Sequence, residues 1–172
     1  MSFFRSETWS RVSCRPSLVW LQGLLLYLHI IGAIFWFGSG LFLQLVLAPA
    51  LRGWQFEAQK PLLIAISGRY GKVVGPLAGL TVLFGILRGL VAGVFGNLGS
   101  PYGLTFLASI VGAGFVIFVG ARFIGPTAEK MAEAATRDDV VELAGRIMRY
   151  GRFEIGGMLV MLALMVAMRA GY

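Results

Sequence analysis

The sequence predicts an all-α membrane protein: a four-helix transmembrane bundle made of two tandem helical hairpins that form a parallel pseudo-repeat. Three observations lead there. The 172 residues are 58% hydrophobic and 13% charged, with a mean hydropathy of +0.80, well outside the range of soluble globular chains. Apolar runs longer than the roughly 20 residues needed to cross a bilayer recur along the chain. Between the second and third runs lies Gly96-Asn97-Leu98-Gly99-Ser100-Pro101, a stretch so dense in backbone punctuators that the flanking helices must be antiparallel neighbours.

The first helix is placed at about 18–51, because no Asp, Glu, Lys or Arg occurs between Leu18 and Leu51 and Pro49 falls near the end. Before it, a tail of residues 1–17 carries Arg5, Arg11 and Arg15 and looks like the front of a signal peptide. The apolar run is much too long for a signal core, so an uncleaved helix is expected. Arg52 to Arg69 reads as a polar connection with a short surface helix after Pro61. The second helix, about 72–95, carries Gly75 and Gly79, then Gly85, Gly89 and Gly93, at spacings that let another helix approach closely. The third, about 102–135, is apolar to Val119, meets the interface at Arg122 and continues past Pro126 as a polar stretch. Thr136, Asp138 and Asp139 give the N-terminal signal of the fourth, about 138–169, since carboxylates there meet the positive end of the helix dipole.

The net charge of +7 does not indicate nucleic acid: the basic residues sit in connections and helix ends, without a basic amphipathic face or a recognition motif. They assign the sides of the membrane instead. Arg52, Lys60, Arg69 and Lys72 flank the first connection, and Arg122, Lys130, Arg137, Arg146, Arg149 and Arg152 the third, whereas the second has none. The positive-inside rule makes the first and third connections cytoplasmic and both termini non-cytoplasmic, in a cell inner membrane. The single cysteine, Cys14, cannot form an intrachain disulfide.

An internal echo supports the two-hairpin plan. Arg69-Tyr70-Gly71-Lys72 before the second helix is matched by Arg149-Tyr150-Gly151-Arg152 before the apolar part of the fourth. Ala48-Pro49-Ala50 is matched by Gly125-Pro126-Thr127. Each unit has an even number of spans, so the copies share an orientation.

The only histidine, His29, lies inside the first span and shares a helical face with Ala33, Trp36, Gly40, Gln44 and Leu47. An intramembrane ionisable group is a functional candidate by default, and small neighbours leave room for a flat guest or a close helix. The plainer alternative is a neutral imidazole hydrogen-bonding across helices as packing glue. Met158, Met161, Met165 and Met168 form a stripe on the fourth helix; thioethers suit Cu(I), although Met is also an ordinary gap filler in apolar packing. Arg88 snorkels to the interface or pairs with an anionic group. Arg122, Arg146, Arg149 and Arg152 with Lys130 offer a surface to anionic lipids. Glu154 is expected to pair with a nearby arginine. No Ser/His/Asp grouping, phosphate loop or intramembrane carboxylate pair is present, so no catalytic residue is assigned.

The segment Leu28-His29-Ile30-Ile31-Gly32-Ala33-Ile34-Phe35-Trp36-Phe37-Gly38, followed by Leu41-Phe42 and Pro49-Ala50-Leu51, resembles the first-helix pattern of the CopD-like superfamily of small bacterial membrane proteins. Val74-Gly75-Pro76-Leu77-Ala78-Gly79-Leu80 through Gly85 resembles its second helix. That superfamily includes copper-resistance D proteins, HemJ-type protoporphyrinogen oxidases and an uncharacterised branch, which is the nearest match. The resemblance implies haem b ligation by His29, with Trp36 packing beside it. This chain lacks the second histidine and the later lysine of HemJ-type proteins.

Together these readings lead to one favoured expectation: a membrane protein that binds haem b or copper through His29, with Trp36 and Gly40 lining the site and a thioether of Met158, Met161 or Met165 as second ligand. Its guest would compensate an imidazole that the bundle leaves unsatisfied. The rival is a non-catalytic structural subunit that self-associates as a homo-oligomer or docks into a larger membrane complex. A HemJ-like enzyme of haem synthesis ranks last.

Overall fold

A computed structural model describes residues 16–51 and 53–170, so the N-terminal tail lies outside it apart from the start of the first helix. Among the described residues the chain is all helical, and four long apolar helices form the bundle. Helix α1 comprises Pro16–Phe42, a π-helical turn Leu43–Leu47 and Ala48–Leu51. Helix α2 is Phe56–Val91. Helix α3 comprises Pro101–Val119, a second π-helical turn Gly120–Ile124 and Gly125–Glu133. Helix α4 is Arg137–Arg169. Each of the four is more than 30 residues long. At about 1.5 Å per residue that is roughly 50 Å, so the helices project beyond a hydrocarbon layer of about 30 Å.

The expected polar connection over 52–69 is much shorter than the sequence suggested. Helix α2 starts at Phe56 and continues through Pro61 and Pro76. Its polar first turns are held from outside the helix: the buried Gln59 amide donates to the carbonyls of Leu51 and, at 3.0 Å, Trp54. Those acceptors are carbonyls that the end of α1 and the following turn leave without intrahelical donors. Polar composition therefore hid a helix whose stability comes from tertiary hydrogen bonds and from packing against the C-terminal end of α3.

The other ends follow their sequence signals. Gly93 takes the left-handed conformation (φ 75°) that closes α2 and starts a short 3-10 turn at Val94–Asn97. Ser100 caps α3, accepting from the Gly103 N–H at 3.0 Å, with Pro101 in the first turn. Thr136 caps α4 by accepting from the Asp139 N–H at 3.2 Å, and its hydroxyl donates to the Asp139 carboxylate at 2.6 Å.

The two π turns deepen the sequence echo. Leu43 and Gly120 open them, Pro49 and Pro126 follow, and the same spacing separates the members of both pairs. In each, an N–H reaches back five residues instead of four: Ala48 to the Leu43 carbonyl and Gly125 to the Gly120 carbonyl. A proline just beyond cannot donate to the preceding turn, and the widened turn accommodates that defect.

The core lies where all four helices meet. Trp36 of α1, Ala78 of α2, Ala113 and Val116 of α3, and Met158 and Met161 of α4 form one buried cluster, with Phe37, Val74, Val82 and Ile117 around it. Many other large apolar side chains on α1 and α2, such as Ile34, Phe35 and Leu80, are exposed, as lipid-facing positions should be.

At Gly103 a Cβ would stand 2.6 Å from the Asn97 carbonyl oxygen and 2.6 Å from the Leu98 Cα, whereas at Gly114 it would meet nothing within 4 Å. Gly103→Ala should therefore destabilise the bundle by about 1–3 kcal/mol, because backbone cannot step aside as a side chain can. Gly114→Ala should stay within about 0.5 kcal/mol of the parent. Thermal unfolding of both variants in mild detergent checks the contrast.

Candidate functional site

His29 is half-buried at the contact between α1 and α2, and its Nδ1 lies 2.7 Å from the backbone carbonyl oxygen of Thr81. A carbonyl can only accept, so Nδ1 carries the proton and donates it, and Nε2 is left with its lone pair. The expectation that the bundle leaves the ring unsatisfied is corrected on this point: α2 supplies one of the two partners itself. Nε2 receives no hydrogen bond among the described residues. Because no described side-chain nitrogen or oxygen is both sealed and unpartnered, Nε2 retains accessible surface.

Three features of the sequence make this geometry. Gly32 on α1 is buried directly against the Thr81 side chain, so the two helices touch backbone to side chain at that level. Thr81 is 3% exposed and turns its hydroxyl back to the Leu77 carbonyl at 2.7 Å, which satisfies it within its own helix. The third is Gly85. Helical Cβ atoms lean toward the N-terminus, so the residue four places on stands over the carbonyl of Thr81. With glycine there, the outer lone pair of that carbonyl is open, and a Cβ would come within 2.9 Å of His29 Cε1 and 3.0 Å of Nδ1. Gly89, one turn further, is filled in the same way by the Phe106 ring of α3.

Trp36 is 6% exposed and packs in the core with Met158 and Met161, while Met165 is half-buried further along α4 and Gly40 has open space around it. Met161 lies against Gly112 of α3, where a Cβ would be 3.3 Å from its Cγ. The structure thus brings Trp36 together with two of the methionines and sets His29 against Thr81 and Gly85. No group of three or more His, Cys, Asp or Glu suited to a metal occurs among the described residues. The donor chemistry fits a haem held by one axial nitrogen better than a copper ion, which asks for several soft or imidazole donors converging on one point.

Two clefts lie at the opposite end of the bundle, beside the connections. One, of about 290 Å³, is lined by Lys130, Glu133, Asp139 and Arg146 among others. The second, of about 580 Å³, runs between Ser67, Gly68, Gly71 and Lys72 of α2 and Glu129 and Glu133 of α3. Among the described residues Glu154 forms no ion pair with an arginine. Among the described residues the one ion pair is Arg146–Glu142 at 2.7 Å, an exposed contact one helical turn apart.

Gly85→Ala should push the imidazole off the Thr81 carbonyl and lower stability by about 1–3 kcal/mol. In a His29→Ala background most of that penalty should vanish, giving a coupling energy of about 0.5–3 kcal/mol in a double-mutant cycle read by thermal unfolding in detergent. Additive effects would show that ring and glycine act separately.

No protein-family model, no curated protein and no solved structure matches this chain.

Proposed function

We propose that the chain is a non-catalytic multi-pass membrane subunit whose helices dock against a second copy or a partner in a larger membrane complex. The observation that carries this reading is the division of the glycines on α2. Gly85 and Gly89 seat rings inside the bundle, whereas Gly75 and Gly79 face outward with nothing within 4 Å of where a Cβ would be. In hydrocarbon, helices associate through close backbone approach at such small-residue rows. The intramembrane imidazole, meanwhile, already has an interhelical role through Thr81.

A second reading, haem b or copper ligation through His29, is favoured by one specific feature. Ligating imidazoles generally donate their other ring N–H to a carbonyl or carboxylate, and the Nδ1 contact with Thr81 leaves Nε2 in that state. A haem bound there would supply a redox centre. The chain's part would be to hold the ring's tautomer and orientation.

Protein purified in mild detergent from haem-replete cells should be colourless and metal-free. It should migrate in native gels as an assembly larger than one chain, and Gly75→Leu with Gly79→Leu should return it to the monomer. A Soret band lost on His29→Ala would instead establish the cofactor reading. The proposed orientation places Cys14 on the non-cytoplasmic side of the membrane, so an impermeant thiol reagent should label it in intact cells; labelling only after lysis would reverse the topology.

A further inference from the structure

The inward stripe of α4 contains one ionisable residue. Gly151, Met158 and Met161 are buried, and Glu154 is half-buried between them on the same face, since these positions recur every three or four residues. It is the only carboxylate within the apolar part of any span; every other acidic residue lies in the tail, at a connection or in the polar helix ends beside it. Polar groups of the other helices gather at the same level. Ser39 of α1 and Tyr70 of α2 have their hydroxyls 3.2 Å apart, and Glu154 lies within electrostatic reach of Tyr70. The Gln44 amide of α1 lies over Gly151, and a Cβ at Gly120, in the π turn of α3, would be 3.7 Å from Glu154 Oε1.

We propose that this four-helix polar layer is a proton-binding site, in which the Glu154 carboxylate takes up and releases a proton inside the membrane while Tyr70 and Ser39 orient it. In the step, one carboxylate oxygen uses a lone pair to accept a proton from hydronium, releasing water, and the reverse step returns it. The surroundings suit a neutral ligand state better than a fixed salt bridge. From α1, Gln44 lies over Gly151 one turn before the carboxylate and Ser39 bonds to Tyr70; from α3 the Gly120 turn approaches the carboxylate, and Arg122 of that turn is exposed. From α2 it is faced by Tyr70, with Arg69 and Lys72 exposed nearby. On α4 itself Tyr150 stacks on Phe123 of α3 at 4.9 Å, and Arg149 and Arg152 are exposed. None of these basic groups forms an ion pair with Glu154 among the described residues. Glu154 is half-buried, not sealed within the bundle. The site is independent of His29 and of either reading of the chain's function.

Dicyclohexylcarbodiimide tests this on the full chain in lipid vesicles, because it partitions into apolar regions and reacts with the protonated carboxyl. The acid O–H adds across the reagent's C=N bond, and the O-acylurea rearranges to a stable N-acylurea without loss of atoms. Mass spectrometry should place an adduct on Glu154, with a rate that falls about tenfold per pH unit above its midpoint and a midpoint separate from that of exposed Glu142. Tyr70→Phe should move the Glu154 midpoint and leave that of Glu142 in place. Absence of the adduct, or a pH profile shared with Glu142, would overturn the proposal and leave a solvated interfacial carboxylate; an unmoved midpoint in Tyr70→Phe would remove Tyr70 from the site. The measurement is made on the parent side chain, so it does not depend on a Glu154 variant folding.

Discussion

Hydrocarbon offers no hydrogen bonds, so every backbone polar group in a spanning helix must find its partner within the protein, and side-chain polar groups are drawn to do the same. That constraint explains more of this bundle than any single apolar contact does. Thr81, Thr105 and Ser109 turn their hydroxyls back onto carbonyls four residues earlier in their own helices. His29 reaches across to a carbonyl of α2, and Gln59 gathers up the carbonyls at the end of the first hairpin. The π turns belong to the same accounting: a proline removes a donor, and the helix widens by one residue instead of breaking. Apolar packing then has little left to specify. The buried cluster draws only one or two residues from each helix, as befits helices whose outer faces are already in an apolar solvent.

Within that frame glycine does two jobs that look identical in the sequence. The spacing from Gly85 to Gly89 is the spacing from Gly75 to Gly79, yet the first pair lies beneath the His29 and Phe106 rings and the second faces open space. The difference is made by neighbours on other helices. A four-residue glycine repeat therefore tells which face of a helix permits close approach, and only the tertiary arrangement tells what approaches.

Much of the fold was legible because it follows from local chemistry. The four spans, the tight turn before Pro101 and the Thr136 cap each rest on residues that act over a few positions. The helical start at Phe56 was not legible, since its support comes from the carbonyl of Leu51, which the polar run from Arg52 onward does not advertise. The site was half legible. His29 stood out as the one imidazole, but its partner is a backbone carbonyl, and backbone carries no sequence signature; the available hint was a glycine four residues past a threonine. For Glu154 the sequence points to the arginines that flank it, yet none of the described ones pairs with it. On a helix, neighbours in sequence point to different sides, and the residues sharing its face are Gly151 and Met158.

The repeat explains why the two polar levels are single. Aligning the halves on their π turns sets His29 opposite Phe106, and aligning them on the Arg-Tyr-Gly segments sets Glu154 opposite Val74. Each half thus carries an ionisable group where the other carries an apolar one, and the two groups lie at different depths. His29 and Ser39 are ten residues apart on α1, which is about 15 Å along the axis. A symmetric bundle would face two like ionisable groups across its centre, and in a low-dielectric interior such pairs resist holding the same charge. Dividing them between the halves removes that opposition and lets one hairpin hold its imidazole by a carbonyl while the other keeps a carboxylate beside hydroxyls. Any duplication behind this chain has therefore been kept in the backbone, in its prolines and widened turns, and set aside in the side chains that carry charge.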